Sequence, residues 1–230
     1  METTSKNRGF GSLRTRILIS FCLVFSVFNC QNSNDVFVWD LAKLVQDKPN
    51  TSEINGNPKI VESPFGKAVS FNGSDDAVFL DENPLISFEE FTVEMIFNPA
   101  MDGDFEQRIV HMGEVSGDRM LLEIRAVDGF WYFDGFVASG YNKLALFDEK
   151  LIHPLGKWHH VALVVGKNSM KTYVNGNLEL TESFSFSPIK TGKSSVGVRL
   201  NKRSWYKGSI DKIKITPKPL NPESFLKLVN

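Results

Sequence analysis

Gly156-Lys157-Trp158-His159-His160-Val161-Ala162-Leu163-Val164-Val165, followed by Lys171-Thr172-Tyr173-Val174-Asn175-Gly176-Asn177-Leu178-Glu179-Leu180, is the stretch whose reading decides the fold. Two apolar, β-branched runs flank an Asn-Gly-Asn turn, and Gly176 can take the positive φ that tight hairpins require. The pattern predicts the central ribbon of an antiparallel β-sandwich. Trp158 and His160 then face one side and His159 the other, because successive strand residues alternate. Adjacent histidines on a strand therefore cannot ligate one ion together, and the pair reads as framework rather than a metal site. His111 and His153 carry no ligand spacing.

Working outward, Phe91-Thr92-Val93-Glu94-Met95-Ile96-Phe97 alternates with period two, placing Phe91, Val93, Met95 and Phe97 on one face. Ala68–Phe71, an Asn72-Gly73-Ser74-Asp75 turn and Ala77–Leu80 form a second strand pair. A first strand is expected at 36–41, a turn-rich loop at 46–58, and further strands at 107–113, 119–126, 130–134, 143–148, 158–166, 170–175, 177–183, 194–199 and 206–215. Short strands punctuated by turn signals argue for a sandwich. One C-terminal helix is expected, with Asn221 as cap, Pro222 at its first position and Phe225, Leu226, Leu228 and Val229 as its stripe.

At 230 residues, 42% of them hydrophobic, the chain can bury a full core. Residues 1–29 are expected to be removed before folding: Lys6, Arg8, Arg14 and Arg16 precede the apolar run 17–28, the layout of a secretory signal. A run of twelve residues falls short of the about 20 that a membrane-spanning helix needs. Val27-Phe28-Asn29-Cys30 resembles a relaxed bacterial lipobox, which implies cleavage before Cys30 and acylation of its thiol; the alternative is an ordinary signal with an incidental cysteine. Nothing after Cys30 can pair with it, since Cys22 lies inside the apolar run. Gln31 rather than Asp follows, which by analogy with bacterial sorting favours the outer membrane or cell surface. Residues 30–35 read as a polar tether and 36–230 as one domain. That mature chain has 22 basic and 26 acidic residues, a net charge of −4, which argues against a nucleic-acid partner.

In order along the chain, Ser63-Pro64-Phe65-Gly66-Lys67-Ala68-Val69-Ser70-Phe71-Asn72-Gly73, Phe91-Thr92-Val93-Glu94, Gly156–Ala162, Tyr173-Val174-Asn175-Gly176 and Tyr206-Lys207-Gly208-Ser209-Ile210-Asp211-Lys212-Ile213 with Leu220-Asn221-Pro222-Glu223 resemble the laminin-G-like branch of the concanavalin A-like lectin/glucanase superfamily. The resemblance covers roughly residues 36–228. It implies an all-β jelly roll of two curved antiparallel sheets with one concave face. Members include sugar-binding modules, adhesion modules and enzymes, so the fold does not give the function. Some hold a structural calcium near the Asp of a Gly-x-Ile-Asp stretch; here that implies Asp211, with oxygens from the early turn at Gly73 and Asp75.

The candidate ligand-binding residues are aromatics beside polar turns: Trp131 and Tyr132 after Asp128-Gly129, and Trp205 and Tyr206 near Arg199 and Arg203. Sugar sites combine apolar walls with a few polar groups, and the arginines suit an anionic glycan. No catalytic residue is assigned, because the Glu-x-Asp-x-x-Glu strand motif of the superfamily's glucanases is absent; Glu94, Glu123 and Asp134 lie on expected strands without diagnostic spacing. The reading favours a non-catalytic binding or adhesion module for a glycan or glycoprotein, on a lipid-anchored protein. A glycan-cleaving enzyme and a purely structural envelope protein are the alternatives. Ten acidic residues and no basic one fall between 74 and 106, and nine basic residues with only Asp211 between 187 and 218, which predicts that early and late strands pair their charges.

Overall fold

The computed structural model describes residues 1–2 and 35–228. The expected leader beyond residue 2, Cys30 and most of the tether lie outside the described residues. Among those residues, no helix is long and apolar enough to cross a membrane.

The chain runs through β1 (Phe37–Asp40), α1 (Leu41–Asp47), β2 (Ser52–Asn55), β3 (Lys59–Ser63), β4 (Gly66–Asn72), β5 (Ala77–Leu80), β6 (Phe91–Pro99), β7 (Glu106–Gly113), β8 (Arg119–Val127) and β9 (Phe130–Ser139). It continues as β10 (Asn142–Leu146), β11 (His153–Pro154), β12 (His159–Gly166), β13 (Ser169–Val174), β14 (Asn177–Ser183), β15 (Lys193–Val196) and β16 (Lys207–Thr216). Two eight-stranded antiparallel sheets result. Sheet A has the order β14-β13-β12-β6-β16-β4-β3, with β1 also on β16; sheet B has β10-β9-β8-β7-β15-β5-β2, with β11 also on β9. This is the all-β sandwich that the strand spacing predicts.

Period-two alternation builds the core between the sheets. Phe91, Val93, Met95 and Phe97 of β6 and Val161, Leu163 and Val165 of β12 meet Met120, Leu122 and Ile124 of β8 and Trp131 and Phe133 of β9. Each such buried side chain contributes about 1.5–3 kcal/mol of transfer free energy. Charges segregated along the chain pair in space: Lys193 lies 2.6 Å from Asp81, Lys207 2.6 Å from Asp102 and Lys214 3.2 Å from Glu94.

Several elements differ from the sequence expectation. The stretch taken as the central ribbon is a three-strand meander that ends at the free edge β14, while β6 and β16 occupy the middle of sheet A. Asn175 (φ 51°) and Gly176 (φ 81°) make the β13–β14 turn, both in the left-handed region that a type I′ hairpin needs. The first strand stops at Asp40, whose carboxylate accepts from the Lys43 amide at 3.0 Å and caps α1. The 46–58 stretch is not all loop, because Ser52–Asn55 adds to the edge of sheet B against β5. β3 was not foreseen; four of its five residues are polar or mostly exposed edge positions, which mutes the alternation signal.

The C-terminal helix is absent. Pro222–Ser224 form a single 3-10 turn, and residues 225–228 have no regular structure. Tertiary contacts override the local pattern here. Leu220 and Phe225 join Ala162, Val164 and Tyr173 in an apolar cluster on the outer face of sheet A.

Candidate functional site

The sequence candidates scatter. Trp131 is 0% exposed and packs inside the sandwich against Phe97, His153 and His159, with ring centroids 5.1, 4.9 and 5.1 Å away. Tyr206 is also 0% exposed, its hydroxyl donating to the Asn98 carbonyl at 3.0 Å. Neither offers a face to a ligand, which corrects their reading as binding aromatics: in a two-sheet core, large aromatics on inward strand positions fill space first. Trp205 is half-buried and Arg203 exposed on the segment that crosses from β15 to β16. Tyr132 lies on the outer face of sheet B beside Arg125, and Arg199 lies away from it, against the Val115 carbonyl of the loop that joins β7 to β8.

The calcium set does not converge. Gly73 sits against the stem of Lys207, and Asp211 lies four residues further along β16, roughly 13 Å at ~3.3 Å per residue. The Asp211 carboxylate accepts from the Ser63 hydroxyl at 2.6 Å, and that of Asp75 from Asn72 Nδ2 at 2.6 Å. Among the described residues no group of three or more His, Cys, Asp or Glu side chains is arranged to hold a metal.

Both histidines of the opening stretch are framework, on opposite sides of the sheet. His159 points inward, where Nε2 donates to the Pro154 carbonyl at 2.9 Å and Nδ1 accepts from Asn175 at 3.3 Å; burial holds its pKa below the usual value. His153, isolated in sequence, stands 5.9 Å from it and donates to Glu179 at 2.6 Å. His160 points outward and donates to Glu94 Oε1 at 3.1 Å.

The outer face of sheet B is where chemistry gathers. Register sets its rows: Arg125 lies between Glu106 and Tyr132, Glu123 between Arg108 and Asp134, and Leu121 between His111 and Phe136. Arg108 Nε reaches Glu123 at 2.7 Å and its Nη1 reaches Glu106 at 2.9 Å and the Ser204 hydroxyl at 2.9 Å. Arg125 Nη2 lies 2.8 Å from Asp134 and 3.1 Å from Glu123. Glu123 and Asp134 are each only 4% exposed. These strand carboxylates therefore belong to a buried, preorganised ion-pair network. Burial, then the neighbouring Glu123 charge, raises Asp134 to about 6, against the pull of Arg125.

One end of this face is apolar and open. Phe105, Val127, Phe130, Tyr132 and Ile152 line a cleft of about 450 Å³ with Asp128, Glu149 and Lys150 at its rim. Phe130 is 42% and Phe105 55% exposed; Phe147, 54% exposed, stacks on Tyr132 at 6.3 Å and 29°. Sequence reasoning missed Arg108, Arg119, Arg125, Phe130 and Phe147. The signal was present: Arg119-x-Leu121-x-Glu123-x-Arg125 and Phe130-x-Tyr132-x-Asp134-x-Phe136 are period-two sets, each belonging to one face.

Comparison with known proteins agrees with this architecture. A family model described as the concanavalin A-like lectin/glucanases superfamily (Laminin_G_3) matches residues 72–224, more than half of the chain. Among solved structures, domain 4 of AbnA, a GH43 extracellular arabinanase from Geobacillus stearothermophilus in complex with arabinotriose, aligns with a TM-score of 0.63 and 20% identity, over 83% of this chain and 94% of that one. A botulinum neurotoxin type C structure, described as entering cells through interaction with two ganglioside molecules, aligns at 0.53 and 14%, over 75% of this chain and 44% of the toxin chain. A heptameric SAP-like pentraxin from Limulus polyphemus aligns at 0.52 and 17%, over 67% and 77%. At these identities the likeness establishes the fold alone, and no curated protein matches the chain in sequence. With two antiparallel sheets in place and the family model spanning most of them, the chain belongs to the laminin-G-like group of the concanavalin A-like lectin/glucanases superfamily.

Proposed function

We propose that the chain is a non-catalytic carbohydrate- or glycoprotein-binding module, held at a membrane by lipid on Cys30, and that it binds through the outer face of sheet B. One observation carries the reading: the exposed rings of Phe130 and Phe147, set on buried Tyr132, are continuous with the Arg108–Glu123–Arg125–Asp134 network. Flat apolar rings suit the faces of sugar rings, and fixed charged groups suit their hydroxyls. The arabinotriose complex and the ganglioside-dependent toxin, on the same fold, support it. A glycan array probed with the full chain tests it: binding that Phe130→Ala removes from a folded protein is expected, and no binding to any glycan contradicts it. For the anchor, Cys30→Ala is expected to release the protein from membranes, and continued retention contradicts that part.

A glycan-cleaving enzyme is the second reading, favoured by one observation. Glu123 and Asp134 stand directly opposite on β8 and β9, and burial beside the Glu123 charge raises Asp134 to about 6, as suits a carboxyl that donates a proton. Polysaccharide turnover that Asp134→Asn or Glu123→Gln abolishes supports this reading; turnover absent across a polysaccharide panel removes it.

A further inference from the structure

Charge on the outer face of sheet B does not balance pair by pair. The three carboxylates that β7, β8 and β9 place there, Glu106, Glu123 and Asp134, are all taken by Arg108 and Arg125. Arg119 and Arg199 have no carboxylate partner among the described residues. Arg119 Nη1 donates to the Gly117 carbonyl at 2.7 Å and its guanidinium lies 4.8 Å over the Phe136 ring. Arg199 Nη2 donates to the Val115 carbonyl at 2.5 Å. His111, 0% exposed, holds the same 114–118 loop through Nε2 and the Glu114 carbonyl at 3.1 Å.

Each of these three side chains also keeps a buried nitrogen without a partner: Nε of Arg119, Nε of Arg199 and Nδ1 of His111. A buried polar atom left unpaired costs about 1–3 kcal/mol, more when charged. Among the described residues the two guanidinium nitrogens are donors left without an acceptor at one loop, whereas Nδ1 of His111, whose Nε2 donates, is itself an acceptor. The potential there is positive. Burial, and then the charge of Arg199, lowers the pKa of Arg119; burial, and then the charge of Arg108, lowers that of Arg199; and burial with the surrounding arginine charges lowers His111 to about 4, so the imidazole stays neutral at physiological pH. Exposed Arg203 and Lys202 follow Arg199 on the same segment.

We propose that the face takes an anionic glycan, with a carboxylate or sulfate seated at Arg119 and Arg199 against the 114–118 loop. This rests on the glycan-binding reading and names its substrate class. A guanidinium fork matches the planar, charge-bearing oxygens of either group. Arg119 is six residues along β8 from Arg125, about 20 Å at ~3.3 Å per residue. A sugar chain stacked on Phe130 and Phe147 therefore reaches the arginines only when extended along the strands, and short acidic sugars gain nothing over neutral ones.

The test compares binding of the full chain to polygalacturonate and dextran sulfate with binding to fully methyl-esterified polygalacturonate and dextran. At least one acidic polymer is expected to bind about tenfold tighter than its neutral counterpart, an advantage that Arg119→Gln and Arg199→Gln each remove and that added salt weakens. Lys171→Gln, on sheet A, is the control and is expected to change nothing. Urea unfolding of each variant separates a lost contact from a lost fold; for any variant that unfolds, Arg119→Lys or Arg199→Lys keeps the charge but not the fork and is expected to lose most of the preference. Acidic preference that survives in folded arginine variants overturns the inference and makes the arginines braces for the loop. Binding to neutral polymers only also overturns it, while leaving the glycan-binding reading in place. No binding to these polymers or to a general glycan array overturns both.

Discussion

The outer faces of the two sheets are built from the same alternation and end in opposite states. On sheet A, Glu94 is 0% exposed, yet its Oε1 accepts from His160 at 3.1 Å and from the Leu226 amide at 2.6 Å, and Lys214 lies 3.2 Å from Oε2. The C-terminal segment closes over it: Phe225 packs on His160 at 5.5 Å and on Tyr173 at 5.1 Å, and the Leu220 amide donates to Thr92, whose hydroxyl donates to the Lys218 carbonyl. Among the described residues, sheet B has no such cover over Phe130 and Phe147, and Arg119 and Arg199 keep buried nitrogens without partners. A face covered by the chain's own segment is structural; one that leaves guanidinium donors and rings open is arranged for a ligand.

Substitutions on the two faces should therefore separate stability from binding. The largest effect is expected from Glu94→Ala, which leaves Lys214 and His160 unpaired beneath the tail. Removing one member of a buried ion pair costs about 3–5 kcal/mol; urea unfolding measures the loss, and glycan binding by the folded fraction should persist. Burial pushes the Glu94 carboxyl up, but the His160 hydrogen bond, the Leu226 amide and the Lys214 charge outweigh it and leave its pKa low. Its contribution is thus present above the unfolded carboxylate range and fades as pH falls through the lower folded value.

His111 gives the next effect. Its folded pKa of about 4 lies below the usual 6.5, so the unfolded chain binds the extra proton between those values and stability rises with pH across that window. Acidification from pH 6.5 to 4 is expected to remove up to about 3 kcal/mol, a slope that His111→Gln should flatten in pH-dependent unfolding. Next comes the platform: Phe130→Ala is expected to weaken glycan binding by about 2 kcal/mol, some thirtyfold in Kd by titration calorimetry, while the melting temperature stays close to the parent's because the ring is 42% exposed. Smallest is Lys193→Gln, which breaks the exposed pair with Asp81 and should leave both melting temperature and binding unchanged.

The fold was legible because strong, two-sided signals carry it. The β6 alternation and the Asn175-Gly176 turn each admit one solution, and the sheet register follows from them. Weak edges were not legible: β2 and β3 sit at sheet margins where one apolar residue or two suffice. Phe225 and Leu226 mimic a helical stripe, but Phe225 packs against His160 and Tyr173 while the Leu226 amide is taken by Glu94, two contacts far apart in sequence. The site was half legible. Aromatics beside turns point to the right neighbourhood, since Phe130 and Tyr132 bracket Trp131, yet strand phase decides which of them opens to solvent. Arg119 and Arg199 are 80 residues apart, and only the 114–118 loop brings them together.

The central claim is that ligand binding belongs to sheet B and not to sheet A. Binding of the wild type, Phe130→Ala/Phe147→Ala and Glu94→Gln on one glycan array tests it most directly. Retained binding in Glu94→Gln with loss in the folded double variant is the predicted result. Retained binding in the double variant, or loss in a folded Glu94→Gln, contradicts the account.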